Sequence, residues 1–107
     1  MWIDTHCHLD AAEFAADRDV VVAAAVEAGV EKIVVPAVAA RNFAAVRDCC
    51  QRYPGCVAAY GIHPMYTPQA GEADLLALRE WLVRERPVAV GEIGLDRWII
   101  DSARPDD

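Results

Sequence analysis

Apolar and polar positions along the chain fall into alternating short runs and helical stripes. Trp2–Thr5 reads as a brief opening strand. From Asp17 to Ala28, Val21, Val22, Ala25 and Val26 form a helical stripe, and Gly29 stands where a C-terminal cap belongs. Lys-Ile-Val-Val-Pro at 32–36 is a continuous apolar run, the pattern of a strand buried on both faces of a parallel sheet. Phe43, Val46, Cys50 and Tyr53 then recur at helical spacing until Pro54-Gly55 stops them. Cys56–Tyr60 is the third strand. A third helix runs from about Glu72 to Glu85, with Leu75, Leu78 and Leu82 on one side, Trp81 beside them, and Pro87 after its end. Val88-Ala89-Val90 is the fourth strand. Residues 97–107 show no strong periodicity and finish on Arg-Pro-Asp-Asp.

The order β-α-β-α-β-α-β, with about 30 residues per unit, predicts an α/β chain built on parallel crossovers. Strong candidates for chemistry fall at or just after strand C-termini: His6 and His8, His63, and Glu92. That is the functional end of parallel barrels and of open doubly wound sheets alike.

On an extended chain Asp4, His6 and His8 share one face, while Ile3, Thr5 and Cys7 share the other. Two imidazoles side by side suit a divalent cation. An isolated His-x-His pair could equally be ordinary strand residues, one bonded in the core and one exposed. Asp4 and Asp10 flank the pair as carboxylates able to orient or supplement it. Glu92 strengthens the metal reading, because a carboxylate straight after Val-Ala-Val-Gly stands at a strand end between glycines that allow close backbone approach. Asp96 is either a second acid or a helix cap. His63, restricted by Pro64, is either a substrate contact or a turn histidine bonded to backbone. Cys7 faces away from the histidines and reads as packing.

Composition narrows the field. Of 107 residues, 55% are hydrophobic, which is high for one small domain and fits an apolar surface meant to be covered by further chain. Lys and Arg number 10 against 17 Asp and Glu, a net charge of -7, so generic electrostatic capture of nucleic acid is disfavoured. A bound cation could still engage one phosphate locally. The four cysteines, Cys7, Cys49, Cys50 and Cys56, have no Cys-x-x-Cys spacing and read as free thiols. No apolar run approaches the roughly 20 residues that cross a bilayer. With no cleavable leader at the N-terminus, the expectation is a cytoplasmic protein without a membrane partner.

Three blocks, Ile3-Asp-Thr-His-Cys-His-Leu-Asp10, Gly61-Ile-His-Pro64 and Gly91-Glu-Ile-Gly-Leu-Asp96, resemble the signatures of the TatD family of metal-dependent deoxyribonucleases and hydrolases, in the family's order. The resemblance covers Met1 to about Trp98. It implies the N-terminal half of a (β/α)8 TIM barrel of the metal-dependent hydrolase type, about four parallel strands with three helices, as one partial domain over residues 1–107. It also implies one or two divalent cations (Zn, Mg or Mn), with His6 and His8 on one metal and Glu92 the shared or bridging carboxylate. Asp4, His63 and Asp96 would contact substrate or support the ligands, and the substrate would be DNA or a small phosphoester. Family members reach about 250 residues, the usual size of a full barrel, and draw two further histidines and a late aspartate from later strands. Here the histidines are only His6, His8 and His63, so the chain alone is expected to be inactive. Two other readings stay open. Amidohydrolase relatives cleave C–N or ester bonds on this scaffold, but many place a carboxylated lysine where this chain has Glu92. Alternatively, a non-catalytic half-barrel would act through association at its open sheet edges.

Overall fold

The computed structural model describes residues 1–102, so the end of the aperiodic tail, 103–107, lies outside the described residues. Four strands, β1 (Trp2–Asp4), β2 (Val30–Pro36), β3 (Cys56–Tyr60) and β4 (Ala89–Val90), form one sheet in the order β1-β2-β3-β4. All three pairings are parallel, with Asp4 opposite Ile33, Ile33 opposite Cys56 and Tyr60 opposite Val90. Helices α1 (Arg18–Glu27), α2 (Phe43–Arg52) and α3 (Glu72–Glu85) supply the crossovers. β1 and β4 are not neighbours, yet the segments that follow them meet: His6 Nε2 lies 3.5 Å from Glu92 Oε1. The sheet therefore curls, carrying its two edges around toward a common centre.

The core lies between the middle strands and α2. Val35, Phe43 and Val46 are fully buried, and Leu9, Ile33, Tyr53, Cys56 and Tyr60 close around them. The Phe43 ring packs edge-on at 5.4 Å from Tyr60 and 5.8 Å from Trp81. Such aromatic pairs add about 0.5–1.5 kcal/mol to the burial of their area. Burial also pushes the Tyr60 hydroxyl up to about 12. All four cysteines are free thiols. Cys7 packs against the core, and burial raises its pKa above the ordinary thiol value. No helix among the described residues is long and apolar enough to cross a membrane.

The structure departs from the sequence expectations in several places. The tail is not wholly irregular: Arg97–Ser102 forms a short helix, α4. Its cause is local, because Asp96 Oδ1 accepts from the amides of Trp98 (2.9 Å) and Ile99 (3.4 Å), satisfying donors that a helix start leaves orphaned. β1 ends at Asp4 rather than Thr5, so both histidines lie beyond the strand. Val26 and Leu75, placed on buried stripes by periodicity, are 63% and 60% exposed. A stripe marks the side of a helix that can be buried, and neither residue finds a facing layer here. α3 in particular packs on β3, and the neighbouring β4 is only two residues long and exposed.

Candidate metal centre

Main-chain hydrogen bonds knit the strand C-termini into a rim that carries the candidate site. Beyond β1, the Cys7 amide donates to Val34 O (3.1 Å), so the His-x-His segment stays extended along β2. Arg18, from the first turn of α1, donates to the carbonyls of Leu9 (2.7 Å) and Ala11 (2.8 Å) and fixes the loop just past His8. On the other side, Gly91 N donates to Tyr60 O (2.9 Å) and Glu92 N to Ala37 O (3.1 Å). The Glu92 backbone is thus tied to the ends of both central strands. His63 is placed by its own amide, which donates to Val38 O at 2.8 Å.

The structure brings His6, His8 and Glu92 together. The two imidazole Nε2 atoms are 3.1 Å apart with their rings nearly perpendicular. Glu92 straddles them: Oε1 is 3.5 Å from His6 Nε2, and Oε2 is 3.4 Å from His8 Nε2. Oε2 is also buried without a hydrogen-bond partner among the described residues. A buried carboxylate oxygen left unpaired is costly unless a cation or donor meets it. Ligands sharing one ion at about 2.0–2.2 Å stand roughly 3–3.6 Å from each other, and these separations lie in that range. Two imidazoles and a carboxylate are the donor set of many zinc sites, so the residues fit a divalent cation.

The remaining candidates take different places. His63 Nε2 is 3.8 Å from Glu92 Oε1, while its Nδ1 accepts from the Met65 amide at 3.0 Å. His63 is therefore a turn histidine bonded to backbone that also lies beside the cluster. Asp4 Oδ1 accepts from the His6 amide (3.1 Å), so it braces the backbone between β1 and the first imidazole. Asp96 is the cap of α4. Asp10, paired in sequence with Asp4, instead accepts from Asn42 Nδ2 at 2.9 Å. Asn42 is a residue that sequence reasoning passed over. Its Oδ1 also accepts from the amides of Val38 and Ala39, so one side chain ties the loop after β2 to the loop after β1. An Asn just ahead of a helical stripe is a recognised start signal, but its long-range bond to Asp10 has no local signature.

Gly61 is where the rim is tightest. A Cβ there would overlap Glu92 O and come within 2.7 Å of Gly91 C and 2.9 Å of Glu92 C. These are main-chain atoms with nowhere to rotate. Gly61→Ala is expected to push the Glu92 segment off β3, costing about 1–3 kcal/mol as overpacking does and drawing the carboxylate away from the histidines. Thermal unfolding and Mn²⁺ titration should both register it; unchanged values in both would show that the close approach is unimportant.

Comparisons with known proteins place the fold in a family. The family model described as TatD related DNase matches residues 3–106. The chain is 43% identical over 97 residues to the uncharacterized metal-dependent hydrolase YjjV of Escherichia coli K12, covering 89% of this chain and 38% of that protein. It is 33% identical over 93 residues to the 3'-5' ssDNA/RNA exonuclease TatD of the same organism, covering 87% of this chain and 36% of that protein. The crystal structure of YjjV superposes with a TM-score of 0.83 over 90% of this chain and 38% of its own length. Four parallel strands with their helices thus form a curled half-barrel, and the chain spans under two-fifths of the length of these relatives. It belongs to the TatD family of metal-dependent hydrolases.

Proposed function

We propose that this chain is the N-terminal, metal-holding part of a hydrolase that cleaves phosphodiester bonds in DNA. The observation that carries the reading is the meeting of His6, His8 and Glu92 at the strand C-termini, with Glu92 Oε2 buried and, among the described residues, without a hydrogen-bond partner. His6 and His8 would offer their Nε2 atoms to a Zn, Mg or Mn ion, and Glu92 would offer one oxygen toward each imidazole. A divalent cation in such a site supplies Lewis acidity to a phosphoryl oxygen and acidifies the attacking water. Because His63 Nδ1 accepts from Met65 N, the neutral ring carries its proton on Nε2, on the side facing Glu92. His63 is thereby ready to donate to an anionic substrate oxygen beside the cluster. The exonuclease name carried by the TatD relative supports a nucleic-acid substrate over C–N bonds, as does a carboxylate at position 92. Four free thiols fit a reducing cytoplasm.

The chain by itself is expected to cleave DNA at no more than background rates, since two-metal phosphoesterases grip the phosphate from both sides and three donors line one side here. The test has two arms. The purified 107-residue chain is assayed on single-stranded DNA with Mg²⁺ or Mn²⁺. A chimera that completes it with the C-terminal part of YjjV is assayed beside it, each with a Glu92→Gln counterpart. Metal-dependent cleavage by the chimera, lost on Glu92→Gln, is the expected result. A chimera that hydrolyses amides but no phosphodiester would overturn the substrate class. Robust cleavage by the chain alone would overturn its inactivity.

We also infer self-association of the isolated chain. Trp2 and Ile3 on one sheet edge and Val88 and Val90 at the other are all more than half exposed, and unpaired strand edges invite pairing with another chain.

A further inference from the structure

Beside the metal cluster, two loops at the strand C-termini bring an unpaired cation onto an aromatic ring. Arg41 sits in the short turn Ala40–Asn42 after β2, and Tyr66 in the turn Pro64–Gln69 after β3. The Arg41 guanidinium carbon lies 4.6 Å from the centre of the Tyr66 ring. Tyr66 in turn packs edge-on to His63 at 6.3 Å, and His63 reaches Glu92. A contiguous path therefore runs from the candidate metal ligands through His63 and Tyr66 to Arg41. The two loops are locked together by the His63 N–H donated to Val38 O.

Arg41 is exposed and, among the described residues, has no ion-pair partner, in a chain of net charge -7. Other arginines with ring contacts or carboxylate partners are engaged elsewhere: Arg47 and Arg84 cover Trp81, Arg52 pairs with Asp19, and Arg97 pairs with Asp101 within α4. A cavity of about 110 Å³ opens between Arg41, Tyr66, Ile62 and Asp74. Ligand pockets usually exceed about 300 Å³, so this one fits an ion-sized group and not a whole nucleoside. Its one carboxylate, Asp74, accepts from the Gly71 amide at 2.8 Å. A guanidinium seated over a ring and without a carboxylate partner has N–H donors available for bidentate contact with a phosphate.

We propose that Arg41, braced on Tyr66, is a phosphate-binding subsite. It holds a second backbone phosphate of the single-stranded nucleic acid whose phosphodiester reaches His6, His8 and Glu92. This subsite presupposes the phosphodiester reading of the cluster and adds to it a second anchor, which favours a polynucleotide strand over an isolated phosphoester.

The test is equilibrium binding of a fluorescein-labelled single-stranded oligothymidylate to the 107-residue chain, read by anisotropy across a series of salt concentrations. Each phosphate neutralised on a single strand contributes about 0.7 to the slope of log K against log salt. Arg41→Ala is expected to lower that slope by about this amount and to weaken binding several-fold, without moving the melting temperature. Arg41→Lys should restore the slope and only part of the affinity. A wild type that binds no oligonucleotide, or an Arg41→Ala variant with unchanged slope and affinity, would overturn the subsite. Competition by inorganic phosphate as effective as that by unlabelled oligonucleotide would show a free-anion site and overturn the nucleic-acid assignment. Mn²⁺ titration of the same samples separates the two readings. Normal Mn²⁺ binding with Arg41-independent oligonucleotide binding removes the subsite alone. Arg41-dependent binding in a chain that takes up no Mn²⁺ removes the metal reading and keeps the phosphate site.

Discussion

Replacing both His6 and His8 with alanine should abolish saturable Zn²⁺ or Mn²⁺ binding in calorimetric titration. Loss of a group that merely orients a ligand costs about 10–100-fold in affinity, and this variant removes two of three donors outright. Among the described residues, the remaining carboxylate would have no partner within reach except His63, 3.8 Å away. Asp4→Ala makes a useful contrast. Its carboxylate touches the His6 amide and not the imidazole, so affinity should fall by only about tenfold, the lower end of that range. Both His variants lie on an exposed rim outside the core, and the fold should survive them. Isotherms that cannot be told from wild type would end the metal assignment.

The largest effect on stability is expected at Phe43. Its side chain is completely buried and touches the rings of Tyr60 and Trp81, linking α2, β3 and α3. Removing a buried Phe to Ala costs about 3–5 kcal/mol. Domains of ordinary size hold only about 5–15 kcal/mol in total, and one this small, with so much apolar surface still exposed, belongs at the low end. Phe43→Ala should therefore be largely unfolded in urea titrations that leave the parent chain native. Leu76→Ala, at a 56% exposed position on α3, should shift the midpoint by no more than about 0.5 kcal/mol. A Phe43→Ala loss under about 1 kcal/mol would mean that this three-ring contact does not hold the core.

The sequence predicts the order of strands and helices well because the middle strands are short continuous apolar runs bounded by turn residues. Ile33, Val35, Cys56 and Tyr60 are buried, but Lys32 is exposed and Val34, Val57 and Ala58 are only half-buried, so burial on both faces is incomplete in a sheet whose inner face has no opposing wall. Helix periodicity did less well on burial. It marked Val26 and Leu75 as inward although nothing faces them, since a stripe carries no information about a missing neighbour. α4 escaped notice for the opposite reason. Six residues are too few to show a repeat, and the helix is nucleated by the Asp96 cap instead. At the candidate site, the residue types and strand-end placement of His6, His8 and Glu92 were legible. Their mutual distances were not, because they depend on how far a four-stranded sheet curls. The partners of Asp10 and His63 were hidden as well. Each is a contact between loops whose geometry is set by backbone bonds such as Glu92 N to Ala37 O.

The curl that joins the ends of β1 and β4 has a thermodynamic corollary. The imidazoles come from the start of the chain and the carboxylate from near its end, on strands that share no hydrogen bonds. In the unfolded chain the carboxylate is far from the two imidazoles, and the set binds a cation poorly. An ion held by all three would act as a clasp across the open mouth of the sheet, favouring the curled form over any flattened one. Ligand linkage makes that quantitative: at a hundredfold excess over its dissociation constant, a cation bound only to the folded state adds about 2.7 kcal/mol. For a chain with two unpaired edges, the same three side chains would then set both where a phosphate is attacked and how tightly the sheet stays closed.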